Sequence, residues 1–427
     1  MNFHNYKQKI YVYAPLTKLV FDDLVKTSFI QEFEKIYDVE WIFSEIENVK
    51  SLNLQKYKIL KNNKLQNNLF NLMYYFETKN FNIKHNIKWI FPLFKFSFLI
   101  NVFIKIINFF NLDNVLIYLL YRIRIFIFNN DIFFLKNTKL IIFGSAKDPY
   151  FLNLIYKAKK AKVTTIHIPI NWDNASTKNY YLKPDLILTW GNQTAEISSQ
   201  LHNIKSMPIG SLRLSKLNKN IQNNNSILKK KYFLDKNKKY FIFAGAGLPY
   251  DEISILELLN SECDDNTFII YKPHPYQQLR KYENKFKLKE LFKIIQFNDY
   301  LKYEKNHFNC SIELMSICDG LITPYSTMIL EALFFNKSVI AVSIADKIHS
   351  NLKWNYCTEL PHLKIFAEND IILKSDTISS LKKNFDIIKS KEKNVDVFNS
   401  ELFNKIVYRN DLNYIDKLKK FIDNNQL

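Results

Sequence analysis

The chain has 427 residues, enough for two domains with separate cores, and its 47% apolar residues exclude wholesale disorder. Its 60 Lys and Arg against 41 Asp and Glu give a net charge of +19, compatible with anionic nucleotides, lipid headgroups or nucleic acid. No zinc-knuckle or RNA-binding aromatic motif supports the last of these, and the four cysteines (Cys263, Cys310, Cys318, Cys357) form no CxxC pair, so a reduced, cytosolic setting is expected.

Residues 9 to 44 read as strand, helix, strand: Ile10 to Ala14, an amphipathic run near Phe21 to Ile36, then Val39 to Phe43. The residues before them lack the basic-then-apolar layout of a signal peptide, so export is not expected. Residues 48 to 83, rich in Lys and Asn, carry no clear pattern. From Ile87 to Phe128 the side chains Phe, Ile and Leu dominate. Lys95, Lys105 and Asp113 interrupt this run, so no charge-free stretch approaches the roughly 20 residues of a spanning helix. Ser97, Asn101, Lys105 and Asn108 recur at three- and four-residue spacing, a narrow polar stripe on an apolar helix. Such a helix suits a membrane interface or a core or interdomain position, and the basic residues around it favour the interface.

After Lys139 the α/β rhythm is clear. Leu140 to Phe143 is a strand, Gly144 to Asp148 a turn, Phe151 to Ala161 a helix, and Val163 to Ile168 a strand. Leu186 to Trp190 and Met207 to Gly210 follow, with a helix from about Thr194 between them. Strand and helix units of this length imply parallel sheets with right-handed crossovers. Residues 215 to 238, rich in Lys and Asn, read as a linker. A second α/β unit begins at Tyr240 to Ala244 and has its last expected strand at Ser338 to Val342. The expected division is a Rossmann-like domain over 1–214 with a helical insertion near 84–130, the linker, a second Rossmann-like domain over 239–395, and C-terminal helices over 396–427 that pack back across the first domain.

Two phrases carry the chemistry. In Asp319 to Glu331, Leu321 to Thr323 suit a buried strand end, Pro324 stops it, and Ser326 and Thr327 suit an N-cap. Free N–H groups at such an end attract anions, and Glu331, one turn on, suits the hydroxyls of a ribose. The alternative is that Ser326 and Thr327 only cap the helix. Upstream, the apolar strand from Phe268 runs into Lys272, Pro273, His274 and Pro275, a strand end bearing a cation and an imidazole. Ligands of open α/β sheets sit outside the carboxyl ends of strands, so the two phrases suit one cleft. Gly245 and Gly247 resemble half a dinucleotide fingerprint and suit close approach of the loop to a donor.

In the first half, the loop Asn171-Trp172-Asp173-Asn174 with Lys178 follows a strand end. Asp173 suits a general base on an acceptor hydroxyl, with His167 as its rival, Trp172 an apolar face for a sugar ring, and Lys178 a partner for an anion. A structural turn is the alternative. Arg213 suits pairing with a phosphate or with a carboxylate. The adjacent pairs Asp22-Asp23 and Asp264-Asp265 lack metal-binding spacing, and no obligatory metal or cofactor is expected.

Two α/β halves, a linker and donor-type residues in the second half resemble the GT-B glycosyltransferases. Lys272 to Pro275, Asp319 to Glu331 and Trp172 to Asn174 are similar to bacterial surface-carbohydrate transferases of capsule and lipopolysaccharide, and to the related CDP-glycerol glycerophosphotransferases. The resemblance covers roughly residues 139 to 345. It implies two Rossmann-like domains with parallel sheets facing a central cleft, donor phosphates at His274, Ser326 and Thr327, and the donor ribose at Glu331. Pro324 stands where the glycerophosphotransferases tend to have Asp, which favours a sugar over a polyol phosphate. UDP-N-acetylglucosamine 2-epimerases share the architecture, but Thr323 to Ser326 replaces their Asp-Ser-Gly-Gly turn. The implied protein is a metal-independent transferase on the cytosolic face of the inner membrane, with a nucleotide-sugar donor and a glycan or lipid-linked acceptor. A polyol-phosphate transferase and a non-catalytic membrane-associated scaffold are the alternatives. A nucleic-acid partner is not implied.

Overall fold

The computed structural model describes residues 7–15, 20, 23–25, 27–44, 54, 56–61, 64–85, 98–127, 132–215, 225–245, 251–274, 290–344, 360–390, 401–408 and 413–423. The chain divides into two compact units, one of residues 1–216 with 405–427 and the other of residues 217–404.

The first unit is built on strands β1 (Lys9–Ala14), β2 (Asp38–Phe43), β3 (Tyr57–Ile59), β4 (Lys139–Gly144), β5 (Thr164–Pro169), β6 (Leu186–Thr189) and β7 (Ser206–Pro208). They pair in the order β3-β2-β1-β4-β5-β6-β7, and every neighbouring pair is parallel. Its helices are α1 (Phe29–Ile36), α2 (Lys64–Lys84), α3 (Phe98–Phe109), α4 (Asp113–Ile127), α5 (Phe151–Lys160), α6 (Asn174–Thr177), α7 (Asn192–His202) and α8 (Leu212–Ser215). Successive side chains of a strand point to opposite faces, and β1 shows the result. Ile10 and Val12 join one core with Phe29 and Phe33 of α1, while Tyr11 and Tyr13 join another with Leu154 and Ile155 of α5. Burial on both faces is why these strands read as near-continuous apolar runs.

The apolar run after residue 87 is not one helix. Asn111, with φ +53, turns the chain between α3 and α4, and both pack on α2 through Phe70, Met73, Phe76, Ile104, Leu116 and Leu120. The stretch before it, which shows no pattern in the sequence, supplies β3 and α2. Among the described residues no helix is long and apolar enough to cross a membrane.

The second unit contains β8 (Lys239–Ala244), β9 (Thr267–Lys272), β10 (Ile294–Gln296), β11 (Gly320–Pro324), β12 (Ser338–Val342) and β13 (Leu373–Ser375). The order is β10-β9-β8-β11-β12-β13, again with every pair parallel. One strand, β13, therefore lies beyond the last expected one. The helices are α9 (Asn225–Lys231), α10 (Glu252–Glu262), α11 (His307–Ile317), α12 (Met328–Phe334), α13 (Lys364–Glu368) and α14 (Ile378–Ser390). Helix α9 falls in the expected linker. It is fastened to α11, since Lys231 Nζ and the Tyr232 hydroxyl both reach Glu313 Oε2, at 2.6 and 2.5 Å.

Two C-terminal helices complete the chain, α15 (Glu401–Ile406) and α16 (Tyr414–Asp423). Tyr414, Ile415, Leu418 and Ile422 of α16 enter the same core as Ile10 and Phe29, so the chain end is part of the first unit. The return path is anchored where the Tyr408 N–H donates to the Trp190 carbonyl at 2.7 Å. Beside it, a Cβ on Gly191 would stand 2.1 Å from the Ile406 carbonyl oxygen and 2.5 Å from that of Lys405, both backbone atoms. Gly191→Ala is therefore expected to destabilise the first unit by about 1–3 kcal/mol through overpacking. Thermal melting followed by circular dichroism measures this; an unchanged melting temperature would show that the return segment yields freely.

Candidate functional site

The chain of the second unit runs outward from β8 through β9 to β10, then returns to place β11 on the other side of β8. The direction of winding reverses between β8 and β11, and in open parallel sheets the crevice outside the carboxyl ends at that reversal is the ligand site. Three strand ends meet there. Ala244 of β8 is in register with Lys272 of β9, and the Gly245 N–H donates to the Lys272 carbonyl at 2.9 Å. Across the reversal, Thr323 Oγ1 of β11 donates to the Ala244 carbonyl at 2.9 Å and lies 3.1 Å from Ser326 Oγ. These bonds tie the β11 turn to the end of β8.

Lys272 reaches over this turn. Its ammonium lies 3.9 Å from the Met328 sulfur, at the first residue of α12, and 5.6 Å from the centre of the Phe297 ring. Tyr325 to Met328 are partly exposed, whereas Pro324 and Ile329 on either side are buried. Thr327 stands at the N-cap of α12 without a side-chain capping bond, and Ser326 Oγ is directed to Thr323. The hydroxyls thus do not serve as the simple cap that was the alternative. His274, two residues past Lys272, is half-buried; burial and then the charge of Lys272 lower its pKa. Glu331 is 6% exposed.

A carboxylate not singled out from the sequence also belongs here. Glu252, in the first turn of α10, is buried and accepts from the Tyr271 hydroxyl at 2.6 Å. A Cβ on Gly245 would come within 2.4 Å of its Oε1, so the glycine lets the β8 loop close on this carboxylate. Gly247 and Pro275 lie outside the described residues.

At the corresponding edge of the first unit, the loop after β5 holds Asn171 to Lys178. Asp173 is partly exposed; its carbonyl accepts from the hydroxyls of Ser176 and Thr177, at 3.0 and 2.9 Å. Asn171 and Lys178 are also partly exposed, and Asn174 is buried at the start of α6. The Lys147 ammonium stands over the Tyr74 ring of α2, 5.2 Å from its centre, and burial followed by the charge of Lys178 lowers its pKa. Deeper, the Tyr13 hydroxyl donates to Asp148 Oδ1 at 2.7 Å, and burial raises the Asp148 carboxyl to about 6. Lys147 and Asp148 were legible only as part of a turn.

Three sequence expectations change at this edge. His167 is fully buried, with Nε2 3.2 Å from the Gly144 carbonyl and Nδ1 2.9 Å from the Tyr180 hydroxyl. Burial pushes its pKa down to about 3, so the ring is a neutral strut between strand and loop, with both nitrogens engaged. Trp172 is 2% exposed, so it packs rather than offering a face to a sugar. Arg213 holds Asp23 through two bonds, Nε to Oδ1 at 3.0 Å and Nη2 to Oδ2 at 3.2 Å, and both residues are buried. Of the two pairings the sequence offers, the structure shows the one with a carboxylate.

Two Rossmann-like units, each an all-parallel sheet flanked by helices, make this a GT-B-like α/β protein. Solved structures share that fold over nearly the whole chain. UDP-GlcNAc 2-epimerase from Neisseria meningitidis, bound to UDP-GlcNAc, matches with a TM-score of 0.55 at 11% identity, covering 97% of this chain and 100% of that one. S. aureus MnaA in a co-structure with UDP matches at 0.53 and 11% identity, covering 97% of each chain. UDP-N-acetylglucosamine 2-epimerase from Rickettsia bellii matches at 0.53 and 13%, covering 98% of this chain and 97% of that one. No family model matches the chain, and no curated protein does.

Proposed function

We propose that the protein is a nucleotide-dependent glycosyltransferase that moves a sugar from a nucleotide-activated donor to a cell-surface glycan or lipid-linked acceptor, without an obligatory metal. The observation that carries this reading is the meeting of Lys272 with the Thr323 to Thr327 turn at the winding reversal of the second unit's sheet, with His274 two residues beyond Lys272. A diphosphate leaving group develops negative charge as the sugar departs. A lysine ammonium and the N–H groups of a first helical turn, fixed beforehand by the Thr323 bonds, stabilise that charge. His274 adds a donor to the same phosphates, and Glu331 accepts from the ribose hydroxyls. Asp173 takes the proton of the acceptor hydroxyl, since its rival His167 is fully buried. Solved structures of this fold hold UDP and UDP-GlcNAc, which supports a nucleotide diphosphate as the ligand class. The acceptor builds a capsule or lipopolysaccharide-type glycan at the cytosolic face of the inner membrane.

Calorimetry of the full chain against UDP, GDP, ADP, CDP and CMP tests the donor site. One diphosphate class is expected to bind, and Lys272→Ala to weaken it about 10- to 100-fold, the worth of a charge-assisted bond. Binding to none of them would move the reading to a non-catalytic scaffold, and binding to CDP alone to a polyol-phosphate transferase. Proton NMR of the turned-over sugar nucleotide separates transfer from epimerisation, because only the latter returns an intact nucleotide sugar with an inverted carbon.

A further inference from the structure

Among the described residues, exposed large apolar side chains are scattered over most of the chain, but between Phe98 and Phe126 they are concentrated on one pair of helices. Helices α3 and α4 bury Ile104, Ile107, Leu116 and Leu120 against α2. Their remaining faces stay in solvent: Phe98, Phe109 and Phe110 of the α3 side and Leu119 and Phe126 of α4 are between 52% and 88% exposed. The core therefore does not use these residues. An apolar surface of this extent marks a site of association with something else.

Charge selects the partner. Within residues 98–127 the single acidic residue is Asp113, which is buried and held by Lys79 Nζ at 2.6 Å. Lys105 and Arg122 are exposed on the same two helices, and Lys136 is exposed beside Phe133 and Leu135. Arg122 sits within the apolar stripe of Val115, Tyr118, Leu119 and Phe126, and its Nε donates to the Tyr118 hydroxyl at 3.0 Å. The face thus combines apolar rings with cations and exposes no carboxylate. A helix of 12 residues is about 18 Å long and, lying flat, buries its apolar side to roughly 5–10 Å in the headgroup and acyl boundary.

We infer that the outer face of the α3–α4 hairpin docks the protein on an anionic phospholipid bilayer, with the Phe109-Phe110 turn inserted and Lys105 and Arg122 at the headgroups. Neither helix spans the bilayer. The docking stands on these helices alone; that it brings the enzyme to a lipid-linked acceptor rests on the function proposed above. A second copy of the chain is a poorer occupant, because symmetric pairing would set these cations against each other.

Sedimentation of the full chain with vesicles tests this, using phosphatidylcholine alone or mixed with phosphatidylglycerol. The protein is expected to pellet with the mixed vesicles. Phe109→Glu with Phe110→Glu lowers the bound-to-free ratio about tenfold or more, given the apolar area withdrawn from the acyl region. Arg122→Gln lowers it about fivefold on the anionic vesicles and hardly at all on phosphatidylcholine. Both variants keep the wild-type melting temperature and nucleotide affinity, because these side chains are exposed. Wild-type protein left in the supernatant, or variants that pellet equally, would overturn the inference. So would equilibrium sedimentation showing a dimer that the double variant dissociates. Loss of vesicle binding leaves the nucleotide reading standing, and failure of nucleotide binding leaves the docking surface standing.

Discussion

Arg213→Ala is expected to destabilise the first unit by about 3–5 kcal/mol and to leave nucleotide affinity unchanged. The loss comes from what remains, not from what is removed. Asp23 is 3% exposed and Arg213 6%, so truncating the arginine leaves a carboxylate inside the protein without its bidentate partner. The same carboxylate raises the pKa of the Tyr414 hydroxyl in α16, after the larger effect of burial, so the loss of the arginine is also felt at the C-terminal helix. Replacing both partners by apolar residues of similar size removes the stranded charge, and Arg213→Met with Asp23→Leu is expected to recover most of the loss. Urea denaturation of the three proteins measures the stability, and calorimetry with the bound nucleotide measures the affinity. A stable Arg213→Ala protein with weakened nucleotide binding would return Arg213 to the donor site.

Arg213 also illustrates what a sequence discloses. Its partner is 190 positions away, and nothing local to Gly210-Ser211-Leu212-Arg213 distinguishes a phosphate from Asp23. Lys272, His274 and the Thr323 to Thr327 turn were legible for the opposite reason. Each stands where a proline closes an apolar run, Pro273 after Lys272 and Pro324 after Thr323, so the strand end is written within a few residues. The central strands were legible because burial on both faces demands continuous apolar runs. The missed strands β3, β10 and β13 have three residues each and lie at sheet edges, too short to carry a pattern. His167 and Trp172 were placed correctly along the chain but not in depth. A histidine within a strand reads alike whether it faces a cleft or, as here, the Tyr180 hydroxyl. Glu252 stayed hidden because its approach to Gly245 depends on packing between a helix and a loop.

Glu77→Gln is expected to become more stabilising, relative to wild type, as the pH rises from about 4.5 to 8. Glu77 on α2 is buried at 5% exposure, and burial pushes its carboxyl up to about 8 against the lowering influence of Arg124. Its Oε1 makes no hydrogen bond, nor do the two Nη atoms of Arg124 or Nδ2 of Asn153, although Arg124 Nε reaches Asn153 Oδ1 at 3.4 Å. The two charges are near but not paired, so desolvation outweighs attraction. A carboxyl with its folded pKa above the unfolded value of 4.5 favours the native state fully below 4.5. That contribution fades as the pH rises through 8, by at most about 1.4 kcal/mol per pH unit. Glutamine keeps the shape of the protonated acid and does not titrate, so the difference between the two proteins widens across the window and levels off above it. Urea denaturation at pH 5, 6.5 and 8 measures the trend. A difference independent of pH, with the variant less stable throughout, would mean that Glu77 is ionised in the native state and that its attraction to Arg124 outweighs the cost of burying both.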